Sequence, residues 1–379
     1  MIAEASTIAV VSKFPGVRNA GAVTSRTMIR PVGSAITEAR RARRQSAFRA
    51  GKLGLALMGI TAALAAWGYL TMIRMPGTSF AGPFEPLSER ERALESALRR
   101  DVEALAGTIG DRSVPRHAGL VAAADHVDRA LTEAGYRVER QRYEVAGKPS
   151  DNLEVERRGS DEIVIIGAHY DSVAGTVGAD DNGSGVAALL ALAREFAPRK
   201  PVRTLRFVAF ANEEPPYFQQ ASMGSVVYAK RCRERHEKVV AMLSLETLGY
   251  YTDQRGSQHY PFPFGLLYPT TGDFVAFVGD RGSGDLVRRV VGTFRRSARF
   301  PSEGIAGPAG VPGIGWSDQW SFWQEGYPGV MVTDTALFRY PHYHEKTDVP
   351  DQLTYGPMAR VVLGLSRVIE DLVGGAPAP

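Results

Sequence analysis

Four near-continuous apolar runs constrain the fold of this chain more than any other feature of its sequence. The runs are EIVIIGAH (162–169), TLRFVAFAN (204–212), VVAMLSLET (239–247) and PGVMVTD (328–334). Strands that are apolar on both faces are typical of parallel sheets covered by helices on each side. Helical periodicity lies between or after these runs, at residues 183–197, 224–237, 283–298 and 357–373. The pattern predicts an α/β fold, a three-layer α/β/α sandwich around a mixed, mostly parallel sheet.

The same patterns set the limits of the folded domain. Two helical stretches precede the first apolar run, and the earlier one opens with Ser88 and Glu91 in a variant of the capping box. Two strands of alternating polarity follow them. The stretch PGTSFAGPFEP (76–86) is rich in proline and glycine, as linkers are. We therefore expect one domain over residues 87–374, with a short tail at 375–379.

A further apolar segment, residues 53–73, contains no charged residue and is long enough to cross ~30 Å of hydrocarbon as a helix. Trp67 and Tyr69 lie near its far end, where an interfacial aromatic belt would be. Basic residues precede the segment, which favours a cytoplasmic N-terminus. The alternative is a cleaved signal peptide, although the segment is long and starts far from the N-terminus.

This interpretation divides the N-terminal part of the chain into two regions. Residues 1–50 are expected to form a disordered basic cytoplasmic tail, and residues 51–75 a single-pass anchor in the cell membrane that contacts the lipid bilayer through residues 53–73. The folded domain would then lie in the periplasm or at the cell exterior.

Charge and cysteine content exclude two kinds of site. The formal net charge of +4 comes from a basic cluster just before the apolar segment, made of Arg40, Arg41, Arg43, Arg44, Arg49 and Lys52. The rest of the chain has no basic stripe interleaved with aromatic residues, so no nucleic-acid partner is expected. The single cysteine, Cys232, excludes an intramolecular disulfide and argues against a cysteine-ligated zinc site.

Imidazole and carboxylate side chains follow three of the apolar runs. His169 and Asp171 come at the end of the first run, Glu213 and Glu214 after the second, and Glu246 near the end of the third. Because the carboxyl ends of strands in an open α/β sheet converge on the ligand crevice, we expect these side chains to lie together. Such nitrogen and oxygen donors suit Zn²⁺, and Mn²⁺ or Co²⁺ less specifically. A bridging carboxylate can hold two metals about 3.5–4 Å apart, as in two-metal hydrolysis.

Six motifs, in order along the chain, carry a resemblance to a known family. They are AHYDS, GADDNGSGVA, FVAFANEEPPYF followed by MGS, LSLETLGYY, SDQWSFW and VTDTALFRYPHYHEKTDVPDQL. Together they resemble the M28 family of zinc metallopeptidases, an aminopeptidase-like group that also includes glutaminyl cyclases, over roughly residues 87–374. The HExxH motif is absent, which excludes the thermolysin-type arrangement.

The resemblance implies a set of zinc ligands. His169 and Glu246 would bind one zinc, and Glu214 and His344 the other. Asp181 would bridge the two ions.

The resemblance also implies roles for the neighbouring residues. Glu213 would be the general base that acts on metal-activated water, and Asp171 would fix the tautomer of His169. Tyr343 would steady the oxyanion, with simple packing as the alternative. The family pattern selects His344 rather than His342 as the ligand. Because the peptide after the bridging aspartate is commonly cis in this family, a cis bond is expected at Asp181–Asn182.

Two positions depart from the family pattern. Residue 246 is Glu where many aminopeptidases with two zinc ions have Asp, and Gln319 stands where a His often follows the Ser-Asp pair. The longer side chain at position 246 leaves a single-zinc enzyme open. Asp318 and Asp348 are expected to support the site rather than to bind metal.

The sequence therefore predicts a membrane-anchored zinc aminopeptidase, with two Zn²⁺ per chain, that removes N-terminal residues from peptides with a free N-terminus. Two alternatives stay open. One is a glutaminyl cyclase-like transferase with a single zinc, and the other is a catalytically inactive peptidase-like scaffold or receptor ectodomain. The sequence specifies neither the preferred N-terminal residue nor an oligomeric state.

Overall fold

The computed structural model of the protein describes residues 32–374. Eight strands form one sheet: β1 Glu139–Val145, β2 Lys148–Arg157, β3 Ser160–His169, β4 Arg203–Phe210, β5 Lys238–Glu246, β6 Val275–Asp280, β7 Ser302–Gly307 and β8 Gly329–Thr333. Their order is β1-β2-β4-β3-β5-β8-β6-β7. The central strands β4, β3, β5 and β8 are parallel, as is the β6/β7 pair. The β1/β2, β2/β4 and β6/β8 pairs are antiparallel. The predicted α/β fold with a mixed, mostly parallel sheet is confirmed.

Helices pack on both faces of this sheet. The helices of these two layers are α2 Glu89–Val102, α3 His117–Glu133, α4 Gly185–Phe196, α5 Gly224–Glu234, α6 Gly284–Ser297, α7 Gln319–Gln324 and α8 Tyr355–Val373. A further helix, α1 Val32–Gly68, precedes them in the chain. One apolar cluster joins the sheet to α2, α3, α4, α6 and α8, and a second joins it to α5 and α7. Strand β3 shows why both faces are apolar: Val164 and Ile166 belong to the first cluster, and Ile163 and Ile165 to the second.

Capping explains the start of α2, and composition explains the helix formed by residues 32–50. The capping box predicted at Ser88 and Glu91 is present at the start of α2, with both reciprocal hydrogen bonds. The predicted disordered tail is wrong for residues 32–50, which are helical because alanine, arginine and glutamate there are good helix formers. Residues 1–31 of that tail and the predicted tail at 375–379 lie outside the described residues.

The apolar part of α1 continues into a π-helical turn, Tyr69–Ile73. Within residues 33–73, an 18-residue window has a mean hydropathy of 1.7 and is only 6% buried. This helix is therefore long and apolar enough to cross a membrane. Its length and composition suit a membrane anchor and a signal sequence alike.

The segment at 76–86, predicted as a linker, packs against the sheet instead of spacing two parts of the chain. Met75, just before it, is buried next to Gly304 of β7. The hydroxyl of Ser79 accepts a hydrogen bond of 2.8 Å from the backbone N–H of Ser302. The ring of Phe84 stacks on that of Phe300 with centroids 5.6 Å apart. Since β7 is an edge strand, this segment covers a sheet edge.

Candidate metal centre

Neighbouring parallel strands bring the predicted side chains to one edge of the sheet. His169 is the last residue of β3, which pairs with β4 on one side and with β5 on the other. Glu213 and Glu214 follow β4, and Glu246 is the last residue of β5. His344 lies in the segment after β8, the next strand along the sheet. The chain therefore converges on this edge from four adjacent strands.

Asp181 lies between two groups of side chains. Its Oδ1 is 3.4 Å from His169 Nε2, and its Oδ2 is 3.0 Å from His344 Nε2. Glu246 Oε2 is 3.2 Å from His169 Nε2, and Glu214 Oε2 is 3.4 Å from His344 Nε2. In each group the ligand atoms all lie within 4.8 Å of one another. The five residues expected to bind metal thus form two groups that share Asp181.

The donor atoms of these groups fit a divalent cation. Four of them are buried and have no hydrogen-bond partner within residues 32–374, namely His169 Nε2, Asp181 Oδ1, Glu214 Oε1 and His344 Nε2. Buried polar atoms without partners are costly, and a cation bound in each group would satisfy them. Imidazole nitrogen and carboxylate oxygen are also usual zinc ligands. The residues present therefore fit zinc.

The concentrated negative charge raises the pKa of both histidines. Burial on its own lowers the pKa of His169, but the carboxylates of Glu246 and Glu213 raise it well above its ordinary range. Burial also lowers the pKa of His344, but Asp181 and Glu214 outweigh burial and raise that pKa to about 10. Since only a neutral imidazole binds a metal, cations compete with protons at both groups.

Asp171 orients the backbone that carries both glutamates. Its Oδ1 accepts a hydrogen bond from the N–H of Glu213 and its Oδ2 one from the N–H of Glu214, each 3.1 Å long. Its Oδ1 also lies 3.5 Å from His169 Nδ1. The sequence predicts only the contact with His169. The bonds to the loop after β4 depend on how two distant segments meet, so no local pattern indicates them.

Glu213 and Tyr343, the other two predicted catalytic residues, lie beside the two groups. Glu213 Oε2 is 3.9 Å from His169 Nε2, and the ring of Tyr343 stacks on the ring of His344 with centroids 3.9 Å apart. Burial raises the pKa of Glu213 well above its ordinary value. Burial, followed by the charge of Asp181, also raises the pKa of the Tyr343 hydroxyl, which stays protonated at neutral pH. His342 instead makes a 2.8 Å hydrogen bond with Thr347 Oγ1 and belongs to neither group.

The loop that carries Asp181 is held from two sides. Asp348 accepts hydrogen bonds from the backbone N–H groups of Asp180 and Asp181, at 2.8 and 3.1 Å. The side-chain amide of Asn182 donates to the carbonyl of Leu245 at 2.8 Å. The peptide bond between Asp181 and Asn182 is cis, as expected. The supporting role expected of Asp348 is thus visible in its contacts.

Two further residues support the site, and neither of them is assigned a role from the sequence. Arg112 is fully buried, and its guanidinium donates to the carbonyls of Tyr170 at 2.7 Å and of Gly178 at 2.8 Å. It thereby braces the loop between His169 and Asp181. The hydroxyl of Ser317 donates to Glu246 Oε2 at 2.6 Å. A lone arginine in a loop has no pattern that distinguishes it from a solvated residue. Ser317 opens the motif SDQWSFW, but that motif does not indicate a contact with Glu246.

Asp318 and Gln319 are fully buried and lie outside both groups. Burial raises the pKa of Asp318 to about 7, even though the charge of His169 acts against the rise. The side-chain amide of Gln319 donates to the carbonyl of Ile314 at 3.0 Å. Gln319 therefore contributes a structural hydrogen bond where a histidine often stands in the family.

Comparisons with known proteins agree with this geometry. Residues 152–369 match the family described as Peptidase family M28. The chain is 38% identical over 292 residues to the uncharacterized protein YfbL of Escherichia coli K12, covering 74% of this chain and 90% of YfbL. It is 27% identical over 225 residues to Leucine aminopeptidase 1 of Arthroderma otae, covering 54% of each protein.

A solved structure shares the fold. BSAP, a zinc aminopeptidase from Bacillus subtilis, superposes with a TM-score of 0.59 at 13% identity, covering 77% of this chain and 97% of BSAP. The shared fold, the family match over residues 152–369 and the similarity over 90% of YfbL lead to one conclusion. The chain belongs to peptidase family M28, and it is an aminopeptidase-like zinc metallopeptidase.

Proposed function

We propose that the protein is a membrane-anchored aminopeptidase that binds two zinc ions through His169, Asp181, Glu214, Glu246 and His344. The observation that carries the proposal is the position of Asp181, whose two oxygens face different groups, each with one histidine and one glutamate. A carboxylate shared by two such groups is the arrangement of two-metal hydrolases. The relatives named as leucine and zinc aminopeptidases support the same reaction.

The chain's own residues would handle the proton and the developing charge. Bound zinc supplies Lewis acidity, which polarises the scissile carbonyl and lowers the pKa of water. Glu213 takes the proton of the attacking water on its carboxylate and passes it to the leaving amine. The protonated hydroxyl of Tyr343 donates a hydrogen bond to the oxyanion.

An apolar cavity beside the metal centre supports a preference for apolar N-terminal residues. The cavity has a volume of about 130 Å³ and reaches Glu246 and Tyr343. Its walls are mostly apolar or aromatic and include Tyr260, Phe274, Ile305, Trp316, Met331 and Phe338. An apolar cavity of about 150 Å³ holds benzene. A leucine or phenylalanine side chain is therefore of suitable size for this one.

The N-terminal helix supports the anchoring part of the proposal. The helix over residues 33–73 contains an apolar part long enough to span a bilayer, and the basic cluster precedes that part. We place the N-terminus in the cytoplasm and the peptidase domain in the periplasm or at the cell exterior, where its substrates would be peptides with a free N-terminus.

The test is turnover of aminoacyl-p-nitroanilides by the purified full-length protein and by Glu213→Gln. The variant should keep its zinc and lose activity by about 10²–10⁴-fold, the usual contribution of a general base. Glu234→Gln, the same substitution at an exposed position of α5, is the matched control and should keep full activity. Full activity in Glu213→Gln would refute the assigned mechanism.

Metal content and product distinguish the two alternative functions. About two zinc ions per chain, with release of apolar N-terminal residues, supports the aminopeptidase. One zinc ion per chain, with pyroglutamate formed from peptides that begin with glutamine, would show a glutaminyl cyclase. No turnover of either substrate after zinc is restored would show an inactive scaffold.

A further inference from the structure

A short loop after β5 exposes large apolar side chains to solvent. Phe262 is 90% exposed and Leu266 is 78% exposed, and Leu267 beside them is also exposed. We call residues 261–267 the apolar loop. Side chains of this kind are normally scattered singly on a surface, and a group of them marks a surface that contacts lipid or another protein.

The base of this loop is fixed by aromatic side chains. Tyr260 stacks on Tyr268 with ring centroids 5.7 Å apart, and Phe264 lies 6.4 Å from Tyr268. The hydroxyl of Tyr260 donates to the carbonyl of Pro269 at 2.6 Å. The exposed side chains of the loop are thus presented from a packed base.

The loop lies beside the end of the apolar N-terminal helix. Tyr268 donates a hydrogen bond of 2.8 Å to the carbonyl of Gly304 on β7. Met75, two residues after the π-helical turn that ends this helix, is buried against the same Gly304. The π-helical turn Tyr69–Ile73 itself packs against β7. Residues 69–75 and the loop therefore meet on one stretch of β7.

The aromatic residues near the end of the helix are exposed as well. Trp67, Tyr69 and Leu70 all point to solvent in the described structure. Tryptophan and tyrosine at the end of an apolar helix are typical of the membrane–water interface. Tyr268 and β7 connect the apolar loop to this end of the helix. The loop would therefore also lie at the membrane–water interface.

The inner face of the loop closes part of the apolar cavity. Tyr260, Pro261, Phe264 and Tyr268 line the cavity, whereas Phe262 and Leu266 do not. The loop therefore separates the cavity from the surface that carries the exposed side chains. Only this loop lies between whatever contacts its outer face and the cavity proposed for the substrate side chain.

We propose that residues 261–267 insert into the outer interface of the lipid bilayer and hold the mouth of the apolar cavity at the membrane surface. This inference rests on the membrane anchor of the proposed function. Lipid is the occupant because the exposed loop adjoins the residues that leave the membrane. An apolar segment with an aromatic border is also the kind of surface that binds in the interfacial region. The preferred substrates would then be peptides whose apolar N-termini lie along the membrane.

The experiment uses the full-length protein in phosphatidylcholine vesicles. Phe262→Cys is labelled with a polarity-sensitive fluorophore, and the vesicles carry phosphatidylcholine with a nitroxide quencher near the headgroup end of its acyl chain. The native Cys232 is fully buried, and burial raises the pKa of its thiol, so it takes up little label. Val202→Cys is the matched control, because Val202 is 61% exposed and precedes β4 at the opposite, amino-terminal edge of the sheet.

We expect a blue shift and quenching of the probe at position 262, with neither change at position 202. Equal emission at both positions, in protein that floats with the vesicles, would overturn the inference and leave the proposed function intact. A probe at 262 that responds only to an added apolar peptide would also overturn it, because the loop would then serve the substrate. Protein that does not float with the vesicles would refute the anchor and the inference together, whereas turnover of leucine p-nitroanilide tests the peptidase activity separately.

Discussion

Replacing Asp171 by asparagine tests whether one carboxylate holds the metal centre together. The carboxylate accepts the backbone N–H groups of Glu213 and Glu214 on different oxygens, both at 3.1 Å. It also lies 3.5 Å from His169 Nδ1. Asparagine has nearly the same shape, but only one of its two terminal atoms can accept a hydrogen bond. Whichever way the amide turns, its NH₂ group faces one of the two N–H groups.

The expected losses of stability and of metal affinity follow from that unpaired N–H group. A buried N–H group that loses its acceptor destabilises a protein by about 1–3 kcal/mol, and the lost bonds were to a charged acceptor. If the amide oxygen stays near His169, the N–H of Glu214 loses its acceptor. If it turns the other way, the N–H of Glu213 does. Loss of such a supporting contact typically weakens metal binding by 10–100-fold, about the range expected for Asp171→Asn.

The assay is a titration of zinc against a chromophoric chelator, with thermal unfolding measured on the same samples. Asp151→Asn is the control, because Asp151 is also buried but pairs with Arg140 and Arg142 on β1. It should lower the midpoint of unfolding without changing zinc affinity. Wild-type zinc affinity in Asp171→Asn, or an equal loss of affinity in the control, would refute the reasoning.

Three further predictions concern the rest of the fold. Chelation should lower the midpoint of thermal unfolding by several degrees, reversibly with zinc, since a ligand at 100 times its Kd stabilises by about 2.7 kcal/mol. Arg206 pairs with Glu156 at 2.8 Å in a mostly buried cluster, so Arg206→Met should destabilise the protein by about 3–5 kcal/mol near pH 7. Burial on its own raises the pKa of Glu156, but the contact with Arg206 outweighs burial and lowers it. The stability that this ion pair contributes is therefore present above the ordinary pKa of 4.5 and is lost as the pH falls below it. Arg158→Met removes the exposed partner of the same carboxylate and should cost less than about 1 kcal/mol, and equal losses in urea unfolding would contradict the burial argument. A chain that begins at residue 87 should unfold at lower temperature than one that begins at residue 69, because it lacks Met75, whose burial contributes about 1.5–3 kcal/mol; equal midpoints would show that the segment over β7 does not stabilise the sheet.

The central strands could be predicted because the pattern that indicates each strand lies within that strand's own residues. Strands β3, β4, β5 and β8 are apolar on both faces, and that composition alone indicates a parallel sheet between helices. Strands β6 and β7 are absent from the prediction. The sequence of β7, SEGIAG, contains two glycines and a glutamate, which weakens any strand pattern.

The segment at 76–86 has the composition of a linker, and composition alone is misleading there. It is ordered by contacts with β7 that join residues more than 200 positions apart, such as the bond between Ser302 and Ser79. No local pattern contains that information.

The candidate metal ligands could be identified, but their support could not. His169, Glu214 and Glu246 occupy strand ends, so their convergence follows from the order of a parallel sheet. Arg112 acts through hydrogen bonds to the carbonyls of Tyr170 and Gly178, and Ser317 through one to Glu246, and no local pattern indicates these contacts. The contact between Asp171 and the backbone of residues 213 and 214 is of the same long-range kind.

The two loops that carry acidic candidate ligands are held in the same way. Asp171 accepts the N–H groups of two successive residues, Glu213 and Glu214, and Asp348 accepts those of Asp180 and Asp181. Successive N–H groups that point at one anion concentrate positive dipole charge on it. At Asp348 these two bonds act against burial, which is the larger effect and raises the pKa of its carboxyl to about 6. Each such carboxylate also fixes the direction of the backbone at the candidate ligand, so the same contact positions the oxygen that is proposed to bind metal.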